Sequence, residues 1–333
     1  MSDPVLEIRD LRLSFPVARS LVDLIRRAPV RQVNALNGVT LALRRGETLG
    51  VVGESGCGKS TLARCIVRLN APTGGSIHFH GQDIFAPDQR HDRRFNRRVQ
   101  MMFQDPYSSL NPRMTTGEIL AEALRVHRIC PAGDIPARVA ELLDLVRLPK
   151  DAAQKLPHAF SGGQRQRIAI ARALAVEPEI LIADELVSAL DVSVQAQIVN
   201  LLLDLQARLD LTILFVAHDL RLVRHISHRV AVIYLGRIVE IGDSETLFKD
   251  PVHPYSRALL SAAPSLDPAE RGNRTHLEGE LPSPLDVPGG CAFHVRCPHR
   301  SPRCSAEVPA LRPLATGGAA ACHHIEEIAN ERL

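Results

Sequence analysis

The apolar positions of this chain fall into short continuous runs and helically spaced segments, separated by turns rich in glycine and proline. Continuous apolar runs of strand length are typical of parallel sheets, where strands are covered on both faces. Such runs cover residues 48–52, 99–103, 178–183 and 212–217. Alternating patterns that predict further strands cover residues 5–15, 33–45, 76–79, 229–235 and 237–241. Helical spacing covers residues 62–69, 115–129, 136–147, 168–175 and 193–209.

One glycine-rich stretch stands between the predicted strand 48–52 and the predicted helix 62–69. Its residues are Gly53, Glu54, Ser55, Gly56, Cys57, Gly58, Lys59, Ser60 and Thr61. Glycines let backbone N–H groups turn toward phosphate oxygens, and the helix N-terminus adds a partial positive charge there. Lys59 can then reach the β- and γ-phosphates, and the Ser60 hydroxyl can ligate Mg²⁺. Strand, glycine turn, Lys-Ser and helix together predict a P-loop.

Polar residues with possible catalytic roles follow two of the apolar runs. Asp184 and Glu185 come directly after run 178–183, at the end of a parallel strand where ligands bind. Asp184 can hold Mg²⁺ through water, and Glu185 can polarise an attacking water. His218 follows run 212–217. A lone histidine at a strand end is usually structural, but at the edge of a P-loop sheet it is also a candidate γ-phosphate sensor.

Three further features allow two interpretations each. A Ser-Gly-Gly-Gln run at residues 161–164 precedes the predicted helix 168–175. It can be an anion-binding site at the helix N-terminus or a simple helix cap. Phe15 ends the first strand and could stack on adenine or close the core. The arginine-rich segment 89–98 fits a solvated helix face better than a nucleic-acid patch, because aromatic residues are sparse. The residues of the Ser-Gly-Gly-Gln run are Ser161, Gly162, Gly163 and Gln164.

Composition narrows the classes of protein that fit. The chain has 333 residues, of which 45% are hydrophobic, and a formal net charge of +3. This length suits one large domain with an appendage, or two domains. The charge is too small to demand a nucleic-acid partner. No apolar run approaches the roughly 18 residues of a membrane span, and the N-terminus lacks the charged and apolar regions of a signal peptide. We therefore expect a cytosolic protein that can sit against a membrane.

Four of the seven cysteines crowd the last part of the chain in the pattern C-x5-C-x6-C-x17-C. They are Cys291, Cys297, Cys304 and Cys322. The spacing matches neither a zinc finger nor a common ferredoxin run. The cysteines can be buried and unligated, paired in disulfides, or ligands of a metal; a reducing compartment disfavours disulfides, and we favour a four-thiolate metal site. The surrounding segment is rich in proline and glycine and lacks a core of its own, so a metal would supply a cross-link.

Taken in order, these motifs resemble those of the ATPase subunits of ABC transporters. The resemblance adds roles for two further residues. Gln104 directly follows the predicted strand 99–103, and Asp191 precedes the predicted helix 193–209. In that family's terms, the matches are Walker A at Gly53–Thr61, the Q-loop at Gln104, the signature at Ser161–Gln164, Walker B at Asp184 and Glu185, the D-loop at Asp191 and the H-loop at His218. The family usually has proline after the catalytic glutamate, whereas this chain has Leu186. Proline would fix φ there, so its loss could soften the D-loop.

The last part of the chain resembles the C-terminal region of dipeptide and oligopeptide importer ATPases. The similar segments are 253–260, 279–284 and 290–298, so the resemblance covers nearly the whole chain. It implies a domain boundary near residue 250, with an ABC ATPase domain in 1–250 and an extension in 251–333, called the tail below. Some members of that family carry an iron–sulfur cluster in the tail, which favours [4Fe–4S] over zinc. We expect the tail and the P-loop to belong to separate cores.

The resemblance implies an α/β P-loop fold with a small antiparallel β subdomain and a helical subdomain. It further implies ATP and Mg²⁺ as cofactors and a head-to-tail dimer with a paralogous subunit or a second copy. Two permeases and an extracytoplasmic solute-binding protein would complete the transporter, and the chain would lie at the cytoplasmic face of the membrane. Two alternatives remain. One is a non-transport ABC ATPase acting on DNA or ribosomes, which one compact cassette disfavours. The other is a low-turnover regulatory subunit, which Leu186 suggests.

Overall fold

A computed structural model describes residues 4–19, 30–87, 92–103, 110–261 and 279–330 of the chain. The Q-loop residue Gln104, singled out in the sequence, lies outside these ranges.

Among the described residues, nine strands lie close to the positions that the apolar pattern predicts, and three two-residue strands were not predicted. The strands are β1 (Pro4–Pro16), β2 (Gln32–Arg44), β3 (Thr48–Val52), β4 (Gly74–Phe79), β5 (Gln82–Asp83), β6 (Val99–Met102), β7 (Ile180–Asp184), β8 (Thr212–Val216), β9 (Arg229–Tyr234), β10 (Arg237–Asp243), β11 (Arg312–Pro313) and β12 (Ala319–Ala320). The unpredicted strands are β5, β11 and β12.

The α-helices include every helix that the spacing predicts. They are α1 (Lys59–Ile66), α2 (Arg93–Arg98), α3 (Thr116–Val126), α4 (Ile135–Leu145), α5 (Gly162–Leu174), α6 (Val192–Leu209), α7 (Leu220–Ile226), α8 (Ser244–Lys249), α9 (Pro254–Ser261), α10 (Pro302–Ala306) and α11 (Ile325–Asn330). Short 3-10 turns cover Ala132–Asp134, Lys150–Gln154, Pro157–Ala159 and His294–Arg296. Within the described part of the chain, no helix combines the length and the apolar character needed to span a membrane.

The chain divides into two compact units. The first, called the helical unit, consists of Met1–Asp3, Arg44–Thr48 and Pro87–Ala217. In it β6, β7 and β8 form a parallel array in which Val99 pairs with Ile180 and Ile180 pairs with Thr212. Every residue of β7 and β8 is buried, as the continuous apolar pattern predicts. Helix α3 packs against α4 and α5, and α5 packs against α6.

The second unit, called the P-loop unit, consists of Pro4–Leu43, Leu49–Ala86 and His218–Leu333. It contains an antiparallel sheet in the order β2-β1-β4-β5, with Leu6 opposite Phe79. A separate set of strands begins at β3, which pairs in parallel with β9, followed by the antiparallel neighbours β10, β12 and β11. The tail therefore contributes two short strands to the same array as the P-loop strand.

Two details differ from or sharpen the sequence prediction. The helix after the P-loop starts at Lys59 and ends at Ile66, because Arg68 has a left-handed φ of 61° and turns the chain away. In the arginine-rich segment, Arg97 donates to the carbonyl of Val176 at 3.0 Å and to the Glu177 carboxylate at 3.1 Å. These contacts support a solvated, ion-paired helix face rather than a nucleic-acid patch.

Candidate active site

The P-loop follows β3 directly and closes onto α1. Gly58 is the N-cap residue of α1 and has a φ of 109°, a backbone conformation that glycine adopts readily and other residues adopt only with strain. A Cβ at Gly58 would lie 2.5 Å from the carbonyl oxygen of Ala35, and one at Gly53 would lie 2.3 Å from that of Ile233. Gly56 has open space around the corresponding position. The loop is thus packed on neighbouring backbone at both ends and open in the middle, as a phosphate cradle requires.

The amine of Lys59 lies inside this loop. The side chain is 5% exposed, and Nζ donates to the carbonyl oxygens of Gly53 at 2.8 Å and of Glu54 at 3.0 Å. Among the described residues Lys59 forms no ion pair, so its positive charge is held by neutral carbonyls. A buried cation without an anionic partner favours binding of an anion beside it. The glycine cradle and this charge fit a nucleotide phosphate, and the Ser60 hydroxyl follows at the first turn of α1.

Residues of the tail contact the P-loop, which contradicts the expectation of separate cores. The Arg296 guanidinium donates to both Glu54 carboxylate oxygens, at 2.7 and 3.1 Å. The Tyr255 hydroxyl accepts from the Glu54 N–H at 2.9 Å. Sequence reasoning missed both residues, because no local pattern links positions more than 200 residues apart.

The Walker B carboxylates lie at the end of β7 in the helical unit. Asp184 is the last strand residue and is buried. Glu185 turns the chain with a φ of 49°, and its N–H donates to the Val216 carbonyl at 2.9 Å. The Glu185 carbonyl accepts from the N–H and the hydroxyl of Ser188, at 3.1 and 3.0 Å. The backbone on each side of Glu185 is therefore fixed. This arrangement suits a side chain that must point consistently at a reacting group.

The signature motif and the D-loop meet within the helical unit. Ser161 and Gln164 form a reciprocal capping box, with distances of 3.4 and 3.0 Å. The helix-cap interpretation of this motif is therefore confirmed. A Cβ at Gly163 would lie 2.5 Å from Val194 of α6, so only glycine allows this approach. Asp191 is the N-cap residue of α6 and accepts backbone hydrogen bonds at the start of that helix.

The remaining predicted residues occupy different environments. His218 is exposed and follows β8 by two positions. Phe15, near the end of β1, is 38% exposed and therefore does not close the core, which leaves stacking as its candidate role. Leu186 is 1% exposed, so its side chain packs where the family usually has proline. The roles of these residues remain predictions.

The four tail cysteines all belong to the P-loop unit, and their thiols are free. Cys304 and Cys322 are buried, and the Cys291 N–H donates to the Cys304 carbonyl at 2.8 Å. Burial, with a smaller contribution from the other tail thiols, raises the pKa of Cys291 to about 11 and that of Cys297 to about 12. Among the described residues, no group of three or more histidine, cysteine or acidic side chains is arranged to hold a metal ion.

Comparison with known families gives two matches along the chain. Residues 36–188 match the ABC transporter family, and residues 239–304 match the C-terminal region of oligopeptide and dipeptide transporters. The putative oligopeptide transport ATP-binding protein YkfD of Bacillus subtilis is 49% identical over 96% of this chain and 95% of its own length. The di/tripeptide transport ATP-binding protein DppF of Pseudomonas aeruginosa is 46% identical over 98% of this chain and 99% of its own.

Solved structures show the same fold. CbiO1 of Clostridium perfringens, part of the ABC transporter complex cbiONQ, superposes with a TM-score of 0.64 and 27% identity. The match covers 75% of this chain and 92% of the CbiO1 chain. The ATP-binding cassette MJ0796 was solved as a dimer with ADP and phosphate. It superposes with a TM-score of 0.61 and 26% identity, and the match covers 72% of this chain and 98% of the MJ0796 chain.

The glycine cradle, the buried lysine and the acidic strand end therefore define a P-loop ATPase of the ABC type, and the chain hydrolyses ATP. The predicted α/β fold is confirmed. The chain belongs to the family of oligopeptide and dipeptide ABC transporter ATP-binding proteins. Membership in this family implies a dimer of ATPase subunits and membrane permeases as partners.

Proposed function

We propose that this ATPase energises the import of dipeptides or oligopeptides across the cytoplasmic membrane. The observation that carries the proposal is near-full-length similarity to subunits named for oligopeptide and di/tripeptide transport, with the tail included in the match. The chain would lie peripherally at the cytoplasmic face of the membrane. Its partners would be a paralogous ATPase subunit or a second copy, two permeases, and a solute-binding protein outside the membrane.

The P-loop would bind ATP and the Walker B residues would activate water. Lys59 would neutralise the β- and γ-phosphates, while Ser60, Asp184 and Gln104 would hold Mg²⁺ directly or through water. Mg²⁺ supplies charge stabilisation for the transferred phosphoryl group when it is bound. The Glu185 carboxylate would orient the attacking water. The buried cation and the glycine cradle described above support this assignment.

Other predicted residues would act at the dimer interface or on the base. His218 would contact the γ-phosphate, and Phe15 would stack on adenine. In a head-to-tail dimer the signature of each subunit, Ser161–Gln164, would close on the nucleotide bound by the other, with Asp191 in the D-loop beside it. The Ser161 side chain caps only the Gln164 N–H of α5, and the signature assignment relies on the N–H groups of Gly162 and Gly163 to donate to an anion.

The transport proposal is tested on the assembled complex in proteoliposomes. The chain is combined with a second ATPase subunit, two permeases and a solute-binding protein of the same transporter, and uptake of a labelled dipeptide is measured with and without ATP. We expect ATP-dependent uptake that is lost in Lys59→Ala. A free labelled amino acid serves as the control solute. No uptake of the dipeptide, or of a labelled oligopeptide in the same assay, despite normal ATP hydrolysis by the complex, would contradict the proposal and indicate another solute.

Gln104 should couple hydrolysis to transport. We expect Gln104→Ala to lower the ATPase activity stimulated by the permeases and binding protein more than it lowers nucleotide affinity. The physical reason is that the resembled family places this loop against the permease, whereas Lys59 and the glycine cradle supply most of the phosphate contacts. Stimulated turnover and MgATPγS binding are measured on the same preparation, with Gln82→Ala on exposed β5 as the control. Equal losses of both would assign Gln104 to nucleotide binding alone.

We further propose that the four tail cysteines ligate a [4Fe–4S] cluster. The support is chemical: four cysteines in one segment are the ligand type that iron–sulfur clusters take. The described conformation does not arrange these thiols as ligands, so loading would require them to converge. When bound, the cluster would cross-link the tail.

The cluster proposal predicts near-stoichiometric iron and sulfide, with visible absorbance, after anaerobic purification. Zinc is measured in the same samples. Cys297→Ser should lose the metal, whereas Cys130→Ser, outside the tail, should keep it. Absence of metal together with four freely alkylated tail thiols in the native protein would show that these cysteines are unligated.

A further inference from the structure

A partly buried ion pair joins the tail to the P-loop. Arg296 ends the 3-10 turn His294–Arg296, and its side chain is 5% exposed. Its partner Glu54, the second residue of the glycine-rich stretch, is 27% exposed. The two side chains meet through two parallel hydrogen bonds, at 2.7 and 3.1 Å. A two-bond arginine–carboxylate pair fixes direction as well as distance. The geometry therefore restricts the position of the Glu54 side chain.

Aromatic residues of the P-loop unit hold Arg296 in place. The guanidinium carbon lies 6.0 Å from the centre of the Tyr234 ring. Tyr234, Tyr255 and Phe293 contact one another with ring centres 4.6 to 5.5 Å apart. His253 packs beside Phe293, and burial lowers its pKa to about 3, so it is neutral near pH 7. Arg296 is thus set in a rigid, largely apolar site with Glu54 as its carboxylate partner.

The contact continues from Glu54 to the catalytic lysine. The Glu54 N–H donates to Tyr255, its side chain binds Arg296, and its carbonyl accepts from Lys59 at 3.0 Å. Three separate groups of one loop residue are therefore fixed, two of them by the tail. The Glu54 carboxylate belongs to the P-loop residue whose backbone carbonyl accepts from Lys59, so it would oppose the phosphates of a nucleotide bound to this loop if no cation balanced it. Arg296 supplies that balancing charge.

We propose that Arg296 is a positioning residue for ATP, acting through Glu54 to hold the P-loop backbone at Lys59 and to neutralise a carboxylate beside the phosphate site. The tail is by this account part of the nucleotide site. Arg296 itself touches Glu54 rather than the reacting atoms. Its removal should therefore weaken nucleotide binding more than it slows hydrolysis of nucleotide that is already bound.

The test uses the full chain and the slowly hydrolysed nucleotide MgATPγS. We expect Arg296→Ala to weaken binding about tenfold, a size typical of coupling between linked sites. Arg296→Lys keeps the charge but loses the two-bond geometry, and should weaken binding by less. The control is Arg303→Ala, which removes an exposed tail ion pair with Glu307 (2.9 Å) and should leave affinity unchanged. Thermal unfolding of each variant checks that it is folded.

A double variant separates action through Glu54 from a general effect on the tail. If Arg296 acts through Glu54, adding Glu54→Gln to Arg296→Ala should restore part of the lost affinity, because the unbalanced carboxylate is gone. Single-turnover hydrolysis by Arg296→Ala at saturating ATP should fall by a smaller factor than its affinity for MgATPγS. The proposal is overturned if Arg296→Ala and Arg296→Lys both bind nucleotide as the unmodified chain does. It is also overturned if the loss in Arg296→Ala is the same with Glu54 and with Gln at that position.

Discussion

Replacing Glu185 by glutamine should reduce ATP hydrolysis by about a hundredfold or more, the contribution expected of a well-placed general base. Glutamine keeps the shape of the side chain but cannot accept a proton from the attacking water. The fixed backbone of Glu185, tied to Val216 and Ser188, should hold the variant side chain in the same place. Nucleotide binding should persist, because the P-loop is unchanged. Steady-state phosphate release and MgATPγS binding measure the two effects.

The matched control lies at the other end of the same strand. Glu179 precedes β7 and forms an ion pair with Arg98, so Glu179→Gln removes a carboxylate without touching the strand end. Its turnover should stay near that of the unmodified chain. Hydrolysis by Glu185→Gln at an undiminished rate would assign water activation to another group. A similarly low rate in the unmodified complex would instead support the regulatory-subunit alternative suggested by Leu186.

Replacing Gly58 by alanine should destabilise the P-loop unit by about 1–3 kcal/mol, the usual cost of a strained backbone position. Alanine there must either keep a φ of 109° or move, and its Cβ would collide with the Ala35 carbonyl at 2.5 Å. Nucleotide affinity should fall with stability, because Gly58 caps the helix that carries Lys59. Denaturant unfolding and MgATPγS binding are the measurements.

Gly56 provides the comparison for this variant. It has a φ of 78°, but a Cβ there meets no atom within 4 Å. Gly56→Ala therefore carries conformational strain without a collision, and should destabilise the chain less than Gly58→Ala. Equal losses of stability in the two variants would show that backbone conformation, rather than the contact with Ala35, sets the requirement for glycine.

The sequence predicted those parts of the molecule whose signals are local. Strands β7 and β8 are continuous apolar runs, so burial on both faces and the position of Asp184 follow directly. The signature could be read as a cap because Ser161 and Gln164 stand at the spacing of a capping box. Phe15 stayed ambiguous, since a strand-end aromatic has the same pattern whether it is buried or exposed.

The parts that escaped prediction depend on contacts between distant segments. The tail pairs with the sheet through Ala319 and Ala320 opposite Ile241 and Glu240, two residues in a strand too short to give a pattern. Glu240 is buried because its carboxylate accepts the N–H groups of Val252 and His253, which no alternation rule anticipates. The expectation that the tail lacks a core of its own is wrong, because Phe293 packs on Tyr234 and Tyr255, and Val252, Ala320, Cys322, Ile325 and Ile328 form a cluster of buried side chains.

The ion pair between Glu54 and Arg296 spans 242 positions of the chain. Recombination between paralogous subunits is most disruptive when it separates residues that must match, and these two lie far apart along the chain. A chimera that takes its ATPase domain from one paralogue and its tail from another would form this ion pair only if the first parent carries the glutamate and the second carries the arginine. We therefore expect the P-loop and the tail to be inherited as one unit in this family. Loss of the charge at position 54 should be accompanied by a change at position 296, and the reverse.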